Sequence, residues 1–379
     1  MVSKMEVVYG KFSTIYSICD VKEKLSDSAI LHLLAPSVFN PTFERLLIRA
    51  KKYQADDKSK VYAYSENGEY KGIIVFKTED NTAEILDIAV KPGYQGKGIG
   101  SMLIDYIFSK FAVSKITAET DDEAVGFYKK CGFAVTPVGE FCDTKRYFCK
   151  LSAVSKHYDL LIKENNDPVR DPEPLREYMD KWDGQQFIDS LQLTKEKSVL
   201  EIGVGTGRLA VRVAPECREF CGIDLSPKTV KRAKENLKEQ TNVALVCGDF
   251  MSYEFGRKFD VIYSSLTFMH IRDKQAAINK VRSLLNIGGR FVLSIDKNQS
   301  DTIDYGTRKI KIYPDNKEDI VKYITQSGMN LMKVFETDFA FVFIAEMKKI
   351  ILNADAYEAP STAAFILDIS LRLRYTDIN

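Results

Sequence analysis

Residues 83–108 read AEILDIAVKPGYQGKGIGSMLIDYIF: an apolar strand, a glycine-rich turn, then an apolar helix. Gly96, Gly98 and Gly100 let the backbone approach a ligand closely, and the amides at the helix start favour an anion. Lys91 and Lys97 add positive charge. The stretch predicts a phosphate-holding loop inside an α/β unit. A second such stretch, SVLEIGVGTGRLA at 198–210, carries an acid, Glu201, just before Gly203, Gly205 and Gly207. A carboxylate there repels a pyrophosphate and suits a cationic ligand. The two loops therefore predict two different ligands.

The rest of the composition sets bounds. A chain of 379 residues is long enough for two or three domains, each with its own core. A formal net charge of +1 argues against a general nucleic-acid binder. The densest basic stretch, KTVKRAKENLK at 228–238, has the spacing of a solvated helix face. Seven scattered cysteines without a CxxC pair predict reduced thiols and a cytoplasmic protein. Three dispersed histidines, His32, His157 and His270, offer no metal centre. No apolar run has the length of a membrane span, and the N-terminus lacks the apolar stretch of a signal peptide.

Along the chain, residues 1–151 alternate helices and strands, with the hairpin strands 60–65 and 70–77 followed by a strand at 83–90. After Leu151 a linker, SAVSK, leads into a proline-broken, charged segment at 157–182 that predicts a mobile cover or entry helix. From Ser198 strands and helices alternate, which implies a parallel sheet wrapped by helices, closed by strands at 330–336 and 339–346. Residues 349–379 show no pattern.

The first loop, V-x-P-x-x-Q-G-x-G-I-G, is followed by GFYKKCGF at 126–133. Together they resemble the Gcn5-related N-acetyltransferases. The resemblance implies that Gln95, Gly96, Lys97, Gly98, Ile99 and Gly100 hold the pyrophosphate of acetyl-CoA. It also implies that the strand end at Ala89 and Val90 pairs with the pantetheine arm. Tyr128 matches the acid that protonates the departing thiolate, and Glu84 the base that takes the proton of the attacking amine. Glu84 has a second reading as an edge carboxylate in solvent, and Tyr128 as a packed ring. The family usually has Asn where this chain has Asp121.

The second loop is spaced GxGxG, unlike the GxGxxG of nicotinamide enzymes. Asp224 in CGIDLSP ends the next strand, where a carboxylate accepts from ribose hydroxyls. VCGDFMSYEF, FDVIYSSLTFMH and LLNIGGRFVLSID follow in order and resemble the class I methyltransferases over 156–348. That resemblance implies a Rossmann-like sheet of seven strands and S-adenosylmethionine as cofactor. Asp249 would face the adenine amine and Phe250 the ring, with Leu225 and Ser264 among the donor contacts. Ser264-Ser265-Leu266-Thr267 replaces the (D/N)PPY of nucleic-acid amino-methylases, which favours small-molecule acceptors. His270 reads either as a base beside the methyl group or as a packing residue. Tyr158, Trp182, Tyr305 and Arg308 are candidates for the acceptor pocket.

Overall fold

The computed structural model describes residues 4–7, 14–111, 113–141, 143–305 and 309–348. Arg308 and the segment 349–379 lie outside the described residues.

The first unit runs β1 (Lys4–Val7), β2 (Thr14–Asp20), α1 (Ser28–Leu31), α2 (Phe43–Ala55), β3 (Ser59–Glu66), β4 (Glu69–Glu79), β5 (Thr82–Val90), α3 (Ile99–Lys110), β6 (Lys115–Asp121), α4 (Val125–Lys130), β7 (Ala134–Phe141) and β8 (Thr144–Ser152). The strands form one sheet in the order β1-β2-β3-β4-β5-β6-β8-β7. Neighbours are antiparallel except β5 and β6, which α3 connects in parallel. Asn67 and Gly68 both take positive φ, as the tight β3–β4 hairpin requires. Helices cover both faces. α2 buries Leu46, Ala50 and Tyr53 at helical spacing on one face, and α3 buries Ile99, Leu103, Ile104 and Ile107 on the other.

The second unit comprises α5 (Ala153–Lys163), α6 (Glu173–Met179), α7 (Gly184–Ser190), β9 (Ser198–Ile202), α8 (Ala210–Val213), β10 (Glu219–Asp224), α9 (Pro227–Asn236), β11 (Val243–Cys247), β12 (Phe259–Ser265), α10 (Lys274–Leu284), β13 (Leu285–Asp296), β14 (Thr302–Asp304), β15 (Lys309–Lys311), α11 (Lys317–Gln326), β16 (Asn330–Glu336) and β17 (Ala340–Glu346). Seven strands form a sheet in the order β11-β10-β9-β12-β13-β17-β16, parallel except for β17, which is antiparallel to both neighbours. Central β9 is buried at every position, as expected of a strand covered on both faces. The order turns back between β9 and β12, where open parallel sheets bind ligands beyond their strand ends.

At the junction one expectation is corrected and one narrowed. SAVSK is no linker: β8 ends at Ser152, whose side chain caps Val154 N–H, and α5 starts at once. The charged segment expected to be a mobile cover or entry helix is helical, in α5 and α6, and is bonded to the rest of the second unit. Buried Asp167 accepts from Arg232 and Asn236 of α9, and the Trp182 carbonyl accepts from Ser294 Oγ at 2.7 Å. Among the described residues no helix is long and apolar enough to cross a membrane, and no cluster of His, Cys, Asp or Glu has the make-up of a metal site.

Candidate active sites

In the first sheet a cleft opens between β5 and β6. Their pairing runs only from Thr82↔Lys115 to Ile85↔Ala118, while β6 continues to pair with β8 as far as Asp121. The edge of Leu86–Val90 facing β6 therefore has no strand beside it, and an extended ligand arm can add there as a strand does. A bulge produces the divergence. The β4–β5 register shifts between Val75 and Phe76, which leaves Leu86 unpaired and bends β5. It also exchanges the faces: Ala83 and Ile85 pack under α3 together with Ile88 and Val90, while Ala89 joins the α2 side.

The loop after β5 has Gly93, Gly96 and Gly98 at φ of +82, +76 and +85°. Nothing lies within 4 Å of the position a side chain would take at any of them, so the concave side is clear. The Gln95 amide donates to the Val90 carbonyl at 3.2 Å and ties the loop to the strand. The Lys97 ammonium lies 4.7 Å from the centre of the Tyr94 ring and brings positive charge to the loop, while Lys71, 4.3 Å from the same ring, is paired with Glu66. Tyr128 on α4 is buried between Phe127 and Phe133, each 5.1 Å away by ring centroid. Burial pushes its phenol above the ordinary value, so it holds its proton firmly.

In the second sheet a cavity of about 1840 Å³ lies beyond the ends of β9, β10, β11 and β12. It runs on into the groove between the two units, where Asp80, Phe108 and Lys115 of the first also line it. Glu201 lines it, buried, and accepts from Tyr263 OH at 2.8 Å; burial raises its carboxyl well above the usual range. Asp224 accepts from Gly205 N–H at 3.1 Å and Ser226 N–H at 2.9 Å, with burial pushing its carboxyl up to about 6. Both acids therefore sit where a cationic ligand restores the charge that burial disfavours. Gly203 has φ +78°, and a Cβ there would stand 1.9 Å from Thr267 Oγ1. Leu266 takes φ +54°, a strained position for a branched residue, beside that contact.

Residues 28–133 match the model of the acetyltransferase (GNAT) family, and residues 199–289 that of a methyltransferase domain. The chain joins a GNAT-family domain to a methyltransferase domain. A malonyl-[acyl-carrier protein] O-methyltransferase from Ilyobacter polytropus is 32% identical over 108 residues, 28% of this chain. The match spans only 40% of that relative's own length. A methyltransferase from Staphylococcus carnosus is 28% identical over 205 residues, 52% of this chain and 86% of the relative. Among solved structures, an S-adenosylmethionine-dependent methyltransferase from Clostridium acetobutylicum is 17% identical with a TM-score of 0.38, covering 52% of this chain and 98% of that one.

Within the acetyltransferase domain, Glu84 stands outside the cleft. It is exposed and pairs with Lys77 and Thr117 in the closed part of the sheet, before the cleft begins. Its place fits the second reading, an edge carboxylate in solvent, because the bulge lies between Glu84 and the open edge. The carboxylate at the open edge is Asp87, buried and held by Arg49 at 2.6 and 2.8 Å. Gly100 also differs from the loop glycines: a Cβ there would meet Phe127 at 2.7 Å, so its bareness serves helix packing. Asp121 accepts from the Glu123 and Ala124 N–H groups and shapes the turn into α4.

Within the methyltransferase domain, Gly203, Gly205, Asp224, Leu225, Asp249 and Phe250 line the cavity. Gly207 does not; it faces Leu237, 3.2 Å from where its Cβ would stand. Ser264 is corrected too. It is fully buried, and its hydroxyl donates to the Ile202 carbonyl at 2.9 Å, bracing β12 against β9. The neighbouring Ser265 lines the cavity instead and donates to Asp183 at 2.7 Å. Asp183 also receives the Arg208 guanidinium, a pair with no motif to announce it. Tyr158, Trp182 and Tyr305 all line the cavity. His270 Nε2 lies 2.8 Å from Tyr158 OH, and burial pushes its ring down to about 4.

Proposed function

We propose that the chain is a bifunctional cytoplasmic transferase: an acetyl-CoA-dependent N-acetyltransferase fused to an S-adenosylmethionine-dependent methyltransferase, both acting on small molecules. The observation that carries the reading is the opposite chemistry of the two loops. Lys97 and bare amides stand at the first, while buried Glu201 and half-buried Asp224 flank the second. A pyrophosphate suits the former and a sulfonium with its amino group the latter.

In acetyl transfer a neutral amine attacks the thioester carbonyl, the carbon–nitrogen bond forms and the carbon–sulfur bond breaks, while the nitrogen releases a proton to solvent and the sulfur takes one. Tyr128 would give that proton, against the resistance that its burial imposes. In methyl transfer the sulfonium is already activated, so alignment of acceptor and methyl supplies most of the rate. His270, kept neutral by burial, would orient the acceptor through its hydrogen bond with Tyr158.

The test is calorimetry on the full chain. Acetyl-CoA and S-adenosylmethionine should each bind one to one, neither displacing the other, and NAD should not bind. NAD binding in place of S-adenosylmethionine would overturn the second assignment. One observation favours a competing reading, in which the first domain binds acetyl-CoA without turnover: Glu84 is exposed and Asp87 is locked by Arg49. A panel of polyamines, aminoglycosides, amino acids and peptides decides between the two, since acetylation of any of them excludes the competitor.

A further inference from the structure

We propose that Lys150, a residue of the acetyltransferase domain, forms part of the adenine-binding site of the methyltransferase domain. The inference rests on S-adenosylmethionine being the methyl donor.

Its geometry starts in β8. Cys149 and Leu151 are buried in the acetyltransferase core, so strand alternation turns Lys150 outward, toward the second sheet. Its ammonium lies 3.1 Å from Asp249 Oδ2. The other carboxylate oxygen, Oδ1, accepts from Met251 N–H at 3.0 Å, which fixes the plane of the group. Lys150, Gly248, Asp249 and Phe250 line the same cavity as the glycine loop.

The strand order says what reaches them. β9, β10 and β11 are consecutive neighbours. Glu201 and the glycine loop belong to β9, Asp224 ends β10, and Asp249 follows β11. A donor with its cationic end at Glu201 and its ribose at Asp224 lays its base at Asp249.

Helix α5 holds the two domains in this relation. Ser155 Oγ donates to the Leu225 carbonyl at 3.0 Å, and Asp159 Oδ1 accepts from Ser226 Oγ at 2.7 Å and from Lys228 N–H at 3.1 Å. From the other side Lys156 pairs with Asp105 of α3 at 2.7 Å. Lys150, three residues before α5, is thereby kept beside the ends of β10 and β11.

The chemistry fits adenine. Its exocyclic amine donates, and each ring nitrogen flanking that amine accepts. A carboxylate oxygen and an ammonium 3.1 Å apart present the complementary acceptor and donor side by side. The Asp249 carboxylate would take the amine hydrogen, and Lys150 would donate to the flanking nitrogen.

The test uses the full chain and the unreactive product S-adenosylhomocysteine, with its 1-deaza and 7-deaza forms, in which carbon replaces one flanking nitrogen. Lys150→Met should weaken the natural ligand about ten-fold, the scale of one charged hydrogen bond. Lys150→Arg should restore most of the affinity, and acetyl-CoA binding should stay unchanged, showing that the domain remains folded. One deaza ligand should be insensitive to Lys150→Met, and which one identifies the nitrogen contacted. Equal affinity of wild type and Lys150→Met for the natural ligand overturns the proposal. So does equal loss for all three ligands, which would make Lys150 a strut between domains. Wild type that binds acetyl-CoA but no S-adenosylhomocysteine would instead refute the donor assignment itself.

Discussion

The two glycine loops follow strands of similar make-up, yet they sit in sheets that open in different ways. In the acetyltransferase domain the sheet opens sideways, because a bulge at Leu86 parts β5 from β6 and leaves a strand edge for the ligand. In the methyltransferase domain the sheet stays closed and the ligand space lies beyond its strand ends, where Glu201 is buried and Asp224 half-buried. The glycines divide within each loop. Gly96 and Gly98 face open space, whereas Gly203 is pressed against Thr267. Each loop keeps glycines open toward a ligand, Gly96 and Gly98 in the first and Gly205 in the second, and packs another, Gly100 or Gly203, against the protein.

The largest effect that can break this contrast is expected at Gly203. Gly203→Ala places a Cβ against Thr267 at a positive φ and should destabilise the methyltransferase domain by roughly 3–5 kcal/mol. Gly96→Ala, with clear space around it, should cost about 1 kcal/mol from its backbone conformation alone. Thermal unfolding of the two variants measures both, and equal losses would remove the distinction.

Next in size is Asp224. Asp224→Ala should weaken S-adenosylmethionine binding by roughly 2–4 kcal/mol and leave acetyl-CoA binding unchanged, as calorimetry would record. The pH dependence has a definite sign. Burial raises this carboxyl from 3.8 to about 6, so the folded chain holds the proton more tightly than the unfolded one. Its contribution to stability is therefore greatest at acid pH and is lost as the pH rises through about 6. The ribose hydroxyls donate to the ionised form, which accepts on both oxygens, so affinity should rise with pH up to about 6 and then level off. Asp224→Asn should flatten that profile.

Smaller changes belong to the first domain. Tyr128→Phe keeps the rings of Phe127 and Phe133 in contact and removes only the hydroxyl. Turnover of an accepted amine should fall about ten-fold with acetyl-CoA affinity unchanged, as steady-state kinetics would show. Glu84→Gln should alter neither turnover nor its pH profile by more than about two-fold, because the carboxylate lies in solvent outside the cleft. A marked loss in that variant would return Glu84 to the mechanism.

Much of this was legible in the residues. Strands 330–336 and 339–346 appear as read, since their patterning and the turn between them are local signals. The order of motifs from Glu201 to Asp249 likewise predicts neighbouring strand ends, because parallel α/β units leave few alternatives. What escaped depended on pairing. The bulge at Leu86 adds no distinctive residue, yet it exchanges the faces of β5, so the residues alone left Glu84 open between a base and an edge carboxylate in solvent. The resemblance puts Ser264 among the donor contacts, but its hydroxyl, in a buried strand, is satisfied by the neighbouring carbonyl of Ile202. Strand β2, TIYSICD, was passed over. Lys150 gave no signal, as its partner Asp249 lies 99 positions further along the chain.

Helix α3 carries one consequence for the joining of the two domains. Its first turn follows the glycine loop of the acetyltransferase domain, while Phe108 and Ser109 at its other end line the methyltransferase cavity. Its twelve residues span about 18 Å and reach from one site to the wall of the other. A substitution that tilts this helix would be felt at both ends, so the two halves of the chain are not free to vary independently along it.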